Sequence, residues 1–386
     1  MVADLNPLRT AKRIVVKIGS ALLVDQATGE VRQDWLAGIA ADIVKLMGEG
    51  REVCLVSSGA IALGRRRLGL PKGQLRLEHS QAAAAAGQID LAAAYKAVFQ
   101  PHGVQVAQIL LTLSDTEERR RYLNARNTLA ALFQVGALPI INENDTVATE
   151  EIRFGDNDRL AARVAAMVSA EALILLSDVD GLYDSDPRRN AGATKLNVVR
   201  AVTRDIEAMA GSVGSDMSSG GMGTKLAAAR IALDAGAAMA IADGRRPNPI
   251  ATLLNENDGT WFVSDTTPQA ARKRWIAGGL TAEGTIRVDA GAVRALRQGK
   301  SLLPAGAVAV EGAFERGSPV SVAGPDGREV ARGLIAYDAG DARSILGLKS
   351  DAIAAKLGYR GRAALIHRDD LSLTGRAEAP VLEETS

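Results

Sequence analysis

Residues 138–160 read Leu-Pro-Ile-Ile-Asn-Glu-Asn-Asp-Thr-Val-Ala-Thr-Glu-Glu-Ile-Arg-Phe-Gly-Asp-Asn-Asp-Arg-Leu: an apolar run, a crowded polar stretch, then the opening of a helical pattern over Arg159 to Ser169. An acid or amide ahead of a helix caps its first free N–H groups. One cap needs one residue. This stretch supplies Asn142, Glu143, Asn144 and Asp145 on one side and Asp156, Asn157 and Asp158 on the other. A strand ending at Ile141 and a helix starting near Arg159 would gather these groups. Such a cluster suits an ammonium group, a metal-bound phosphate or lysine side chains, and exceeds what a surface loop requires.

The same alternation extends on both sides of this stretch. Apolar runs rich in Val, Ile and Leu occur at Ile14 to Ile18, Val53 to Val56, Val104 to Leu111, Leu138 to Ile141, Leu173 to Leu176 and Ala238 to Ile241. They are apolar at consecutive positions, as strands buried on both faces must be. Between them, helical spacing covers Trp35 to Met47, Gln81 to Phe99, Arg119 to Val135, Arg159 to Ser169 and Thr224 to Ala235. The alternation predicts an α/β fold, an open and mostly parallel sheet sandwiched by helices. Ligands in such sheets bind beyond the carboxyl ends of the strands, where the polar and Gly-rich motifs of this chain fall.

The texture changes after Pro247 and Pro249. Short runs at Thr285 to Val288, Val308 to Glu311, Val320 to Ala323 and Val330 to Leu334 are separated by Gly and Pro turns such as Gly324-Pro325-Asp326-Gly327. This predicts a small β-barrel-like domain with one or two short helices. The expected division is a first domain over 1–262, a linker over 263–274, a second domain over 275–370 and a tail over 371–386.

The bulk numbers agree with a two-domain globular chain. A length of 386 residues gives ample core, and a net charge of +1 argues for no polyanionic partner. The single cysteine, Cys54, lies in an apolar run and cannot form a disulfide within the chain. Met1 to Arg13 holds no apolar leader segment, and no stretch approaches 18 apolar residues, so a cytoplasmic protein with no membrane partner is expected.

Four stretches at predicted strand ends carry chemistry. Lys17-Ile18-Gly19-Ser20 places a lysine in an apolar strand, costly to bury unless an anion meets it, though an edge strand would let it reach solvent. Ser57-Ser58-Gly59-Ala60 is a strand-to-helix turn that would bind an anion through free N–H groups or serve as a plain cap at Ser58. Ser177-Asp178-Val179-Asp180-Gly181 fits a simple turn equally well. In Ser218-Ser219-Gly220-Gly221-Met222-Gly223-Thr224-Lys225, close glycines admit a phosphate to backbone N–H groups at a helix start, and Lys225 adds a point charge. Gly299-Lys300-Ser301 is not a Walker loop, because Arg294 stands where the first glycine belongs. No Gly-x-Gly-x-x-Gly follows the first strand. His79, His102 and His367 have no metal-ligand spacing. Two lysines, an anion cradle and a carboxylate cluster suit phosphoryl transfer, which depends on positioning and charge neutralisation.

Residues 13 to about 262 resemble the amino acid kinase family. The resemblance rests on Val16-Lys17-Ile18-Gly19-Ser20, Ser57-Ser58-Gly59-Ala60-Ile61, Tyr122-Leu123-Asn124-Ala125-Arg126, Asn142-Glu143-Asn144-Asp145, Gly155-Asp156-Asn157-Asp158 and Gly220-Gly221-Met222-Gly223-Thr224-Lys225. The Asn-Glu-Asn-Asp run with Gly-Asp-Asn-Asp is particular to members that act on glutamate. From Lys273-Arg274-Trp275-Ile276 onward, residues 275 to about 370 look like a PUA domain. The resemblance implies the amino acid kinase fold and ATP-dependent phosphorylation of the γ-carboxylate of L-glutamate, the first step of proline biosynthesis, with proline as feedback inhibitor. It implies Lys17 and Lys225 as catalytic groups oriented by Asp158. It implies nucleotide contacts from Lys17, Gly19, Ser20, Ser177, Asp178, Ser219, Gly220, Gly221, Met222, Gly223, Thr224 and Lys225. Ser58, Gly59, Asn142, Asp145 and Asn157 would bind the amino acid. Mg²⁺ would travel on the ATP phosphates, with no protein metal site. A homo-oligomer, dimer or tetramer, and a glutamyl phosphate reductase that consumes the labile product are the implied partners. Ser57 and Ser177 stand where the family often has Thr, and Gly223 where it often has Ser or Ala.

Two other readings compete. A sister kinase would act on acetylglutamate, aspartate or a nucleotide, but an acetylated nitrogen carries no charge for Asp145 to pair with. An RNA-binding role would follow from the PUA resemblance, yet charges are near balance from Trp275 to Asp370 and aromatics are few, which argues against RNA as a partner.

Overall fold

The computed structural model describes residues 5–71, 73–148, 156–210, 221–278 and 281–374. The chain divides into two compact units, Met1–Pro268 and Gln269–Ser386.

In the first unit an eight-stranded sheet runs in the order β3-β4-β2-β1-β5-β9-β10-β8. Its strands are β1 (Arg13–Ile18), β2 (Glu52–Ser57), β3 (Val106–Leu111), β4 (Leu138–Glu143), β5 (Ala172–Ser177), β8 (Val198–Val199), β9 (Ala238–Asp243) and β10 (Thr260–Phe262), while β6 (Leu182–Tyr183) and β7 (Lys195–Leu196) form a separate hairpin. From β3 to β9 neighbouring strands are parallel, so Ile18, Ser57, Leu111, Glu143, Ser177 and Asp243 all lie at one edge. The sheet is mostly parallel, as its doubly apolar strands require. The exception is β10, which pairs antiparallel with β9 and carries the two-residue β8. The chain leaves β1 for β2 on one side and later reaches β5 on the other. The edge beyond β1 is therefore the point where the winding reverses.

Alternation along each strand sorts side chains onto two cores. Ile14, Val16 and Ile18 of β1 join Val53 and Leu55 of β2 beneath the helices Gln33–Gly48 and Leu77–Phe99. Val15 joins Cys54, Val56, Leu173 and Leu175 on the opposite face, beneath Arg119–Gln134, Asp156–Val168 and Met222–Asp234. Lys17 follows Val15 onto that second face. Cys54 is fully buried, and burial pushes its thiol up to about 12, so it behaves as a core residue.

Helices Ala60–Arg67 and Leu77–Phe99 touch through their backbones. A Cβ on Gly64 would sit 1.7 Å from the carbonyl oxygen of Ala83, and one on Gly87 would sit 1.9 Å from that of Ala60. Any side chain at either position pushes the helices apart.

The second unit holds a five-stranded sheet in the order β12-β11-β13-β14-β15, made from β11 (Gly284–Val288), β12 (Ala307–Gly312), β13 (Pro319–Ala323), β14 (Glu329–Leu334) and β15 (Leu371–Leu373). Its core gathers Ile286, Val320, Val322, Ala331 and Leu365. The helix Pro268–Gly278 is tied to the approach to β15 by a buried ion pair, Arg272 to Asp370, at 2.6 Å. Among the described residues no helix is long and apolar enough to cross a membrane.

Glycine to alanine in a helix interior normally stabilises by about 1 kcal/mol. The sign reverses at Gly64 because the added methyl overlaps a carbonyl. Gly64→Ala is expected to lower unfolding stability by about 1–3 kcal/mol, read from the urea midpoint.

Candidate active site

Lys17 is buried, and the anion that meets it is internal. Its Nζ lies 2.5 Å from Asp158 Oδ1. The other carboxylate oxygen of Asp158 lies 3.5 Å from Lys225 Nζ and accepts a hydrogen bond from the Thr224 hydroxyl at 3.0 Å. All three charged side chains are nearly closed to solvent. Each comes from a different element on the same face of the sheet: Lys17 from β1, Asp158 from the first turn of Asp156–Val168, Lys225 from the first turn of Met222–Asp234. The two helices start beside each other above the carboxyl end of β1, so an acid at one start and a lysine at the other must meet.

Burial works against the Asp158 carboxylate, yet the charges of Lys17 and Lys225 outweigh it and hold the group below its ordinary range. Asp158 is therefore ionised at neutral pH. Two ammonium groups thus converge on one buried carboxylate.

Asn157, one residue earlier, turns to the other side. Its Nδ2 donates to Ser58 Oγ at 2.7 Å and lies 3.3 Å from Asn142 Oδ1. Ser58 is positioned from below. Its N–H donates to the Ile18 carbonyl, and its carbonyl accepts from Ser57 Oγ, which in turn accepts from the Tyr95 hydroxyl at 2.8 Å. The capping alternative for Ser58 does not survive. The helix Ala60–Arg67 starts from Gly59, at φ +112° with no side-chain cap, a backbone shape that favours glycine. Asn142 is buried at the end of β4, its Oδ1 accepting from the Glu143 N–H and its Nδ2 donating to Gln88 Oε1 at 2.7 Å. Asp145 is buried beside a cavity of about 260 Å³ that Gln88 also lines.

At the third strand end, Ser177 Oγ donates to Asp178 Oδ1 at 3.1 Å. Gly19 and Ser20 open a short helix, Ser20–Leu23, directly after β1, and a Cβ on Gly19 would lie 3.8 Å from Lys17 Nζ. Gly221 is the N-cap of Met222–Asp234 and makes no side-chain cap. Among the described residues, a Cβ on Gly221 or Gly223 would meet nothing within 4 Å. Ser219 and Gly220 lie outside the described residues, as does Gly155.

Lys17, Asp158, Thr224 and Lys225 thus meet in one cluster. Ser58, Asn142 and Asn157 meet in a second, with Asp145 near it. Ser177 and Asp178 share the sheet edge with both, without a direct bond to either. Sequence reading missed Gln88, Gln81, Tyr95 and a network in which Lys195 bridges Asp180, at 3.1 Å, to Asp258. The signal for Gln88 was its neighbour. Gly87, a glycine inside a helical pattern and directly after the run Ala82 to Ala86, marks a close backbone approach.

Comparison with known proteins agrees with these motifs. A model of the amino acid kinase family matches residues 12–243, and a PUA domain model matches residues 284–357. A glutamate 5-kinase of Nitrobacter winogradskyi is 58% identical over 368 residues, covering 95% of this chain and 97% of that protein. Glutamate 5-kinases of Bradyrhizobium sp. (strain BTAi1) and Rhodopseudomonas palustris (strain CGA009) are each 58% identical over 364 residues, with 94% of this chain covered and 96% and 97% of theirs.

Replacing Asp158 by Asn removes the carboxylate that both buried ammonium groups meet. Asp158→Asn is expected to cost about 3–5 kcal/mol of stability at pH 7 in urea unfolding. Because the folded carboxyl sits below its ordinary range, its contribution is complete above roughly pH 4 and is lost as pH falls through the lower folded value. The gap between wild type and variant should therefore hold steady above that pH and close in more acid solution.

Proposed function

We propose that this chain, which belongs to the amino acid kinase family, transfers the γ-phosphoryl group of ATP to the γ-carboxylate of L-glutamate. The product is L-glutamyl 5-phosphate, and the step opens proline biosynthesis. The observation that carries the reading is the buried trio Lys17–Asp158–Lys225, two lysines held by one carboxylate between two polar flanks. The identity to glutamate 5-kinases along nearly the whole chain supports glutamate as the acceptor.

The attacking carboxylate is already ionised at neutral pH, so no general base is required. The difficulty is bringing two anions together. Lys17 and Lys225 neutralise the oxygens of the transferring group, and Asp158 holds both ammonium groups in place. Asp158 is ill suited to act as a base, because its lysine neighbours keep it ionised and weakly basic. Ser58, Gly59, Asn142, Asp145 and Asn157 hold glutamate, with the Asp145 carboxylate as partner for the α-ammonium group. Gly19, Ser20, Ser177, Asp178 and the segment from Ser219 to Lys225 hold the nucleotide. The glycine that opens Met222–Asp234 puts free backbone N–H groups at a helix start, which supports a phosphate there.

Asp158 does not fit direct coordination of Mg²⁺, since an ammonium group or a hydroxyl engages each of its oxygens. Mg²⁺ belongs on the ATP phosphates, where it supplies further charge neutralisation. Proline as feedback inhibitor, a homo-oligomeric dimer or tetramer, a cytoplasmic location and glutamyl phosphate reductase as consumer of the product complete the proposal, supported by the family resemblance.

The test is ATP-dependent hydroxamate formation with glutamate, aspartate and N-acetylglutamate offered separately. Product from glutamate alone, suppressed by proline, is expected. Product from another acid instead would overturn the substrate assignment. In the same assay Lys225→Ala should lower kcat by about 10²–10³ while the unfolding midpoint stays within reach of wild type, because Lys17 still pairs with Asp158.

A further inference from the structure

The segment that carries Asn142 and Asp145 is held at both ends by one face of a single helix. Gln88 and Gln81 lie two turns apart on Leu77–Phe99. Gln88 Oε1 accepts from Asn142 Nδ2 at 2.7 Å, and Gln81 Nε2 donates to the Ala148 carbonyl at 3.1 Å. Between these two clamps lie Glu143, Asn144 and Asp145, facing Ala84 and Ala85 of the same helix across the cavity of about 260 Å³.

A carboxamide can present either its oxygen or its nitrogen in a given direction. The Glu143 N–H, which can only donate, and the bond to Gln88 together hold the oxygen of Asn142 toward Asn157 and its nitrogen toward the helix. Asn157 then spends one N–H near that oxygen and another on Ser58. A continuous line of hydrogen bonds therefore runs Gln88–Asn142–Asn157–Ser58. The helix has no freedom to drift along this line. Gly87, the residue before Gln88, is pressed against the Ala60 carbonyl, and Ala60 follows the Ser58-Gly59 turn directly.

We infer that Gln88 is a positioning residue for the amino-acid subsite. It sets the orientation of the Asn142 amide, and through it the polar face that receives the acceptor substrate. The inference rests on the reading of Ser58, Asn142 and Asn157 as the acceptor side. It assigns Gln88 no contact with the phosphoryl group and no role in nucleotide binding.

The consequence is a split in the kinetics. Gln88→Met keeps the length and packing of the side chain and removes the strong acceptor. KM for the acceptor acid should rise about tenfold, the worth of one hydrogen bond, while KM for ATP should change less than about twofold. The effect must also pass through Asn142. With Asn142→Ala in the background, adding Gln88→Met should change KM no further, since the partner is already gone. The comparison uses whichever acid the wild type accepts. An acceptor other than glutamate would thus sink the reaction proposed above while leaving the Gln88 result readable, and no acceptor at all would sink both. Equal rises in both KM values, or additive effects of the two substitutions, would overturn the positioning role and make Gln88 a packing residue. Gln88→Ala, with its unfolding midpoint measured alongside, repeats the comparison should the Met variant fold poorly. An unchanged acceptor KM in a folded variant would also overturn it.

Discussion

A carboxylate buried among apolar helices is expensive, and so is an ammonium group; Asp158, Lys17 and Lys225 are stable together only because each offsets the desolvation of the others. Both lysines converge on that one carboxylate at the carboxyl end of β1. On the function proposed above, an incoming phosphate would meet two ammonium groups already in place, in surroundings where water screens poorly. The same arrangement explains why the lysines do not wander before substrate arrives: Asp158 holds both in the absence of any anion.

The geometry depends on two periodicities. Alternation along β1 sends Lys17 to the face covered by Asp156–Val168 and Met222–Asp234, and alternation along β2 sends Ser57 to the opposite face, where Tyr95 meets it. Helical rotation of about 100° per residue then separates Asn157 from Asp158. Asn157 joins Ser58 and Asn142, while Asp158 joins the lysines. Two adjacent residues at one helix start thus belong to the two halves of the site. On the function proposed above, the distance between acceptor and phosphoryl side would be set by a single helical turn, which is the condition for an in-line transfer that relies on positioning.

Much of this was legible in the sequence because the signals were local violations. A lysine in an apolar strand, and seven amides and acids where one cap would do, announce themselves. The parallel strands were legible because most are apolar over several consecutive positions; β3, which holds Gln108, is buried only at Leu111. What could not be read was whatever depends on distant segments meeting. Gln88 sits in an alanine-rich helix with nothing local to mark it except Gly87. Lys195 gains its role by spanning Asp180 and Asp258, residues far apart along the chain. The two-residue β8 and the three-residue β10 are too short to show a period, and β10 runs against its neighbour. Ser58 reads as a cap until the left-handed backbone of Gly59 takes that place.

The two polar flanks of the site are held by different devices, and the difference has a mechanistic reading. On the flank of Ser58 and Asn142, proposed above as the acceptor side, Gly64 and Gly87 let two helices close on each other until backbone meets backbone. No side chain lies between them to adopt another rotamer, so the depth of Leu77–Phe99 is fixed by covalent geometry and hard contact. On the other flank, the turn after Ser177 is held by side chains with many rotamers, Lys195 between Asp180 and Asp258 and Tyr183 on Asp180, all partly open to solvent. Long, solvated ion pairs yield at small cost. On the function proposed above, a small amino acid must be distinguished from its neighbours by shape, whereas a nucleotide is larger, carries its own charge and must leave after each turnover. A rigid wall on one side and a compliant one on the other would meet these unequal demands.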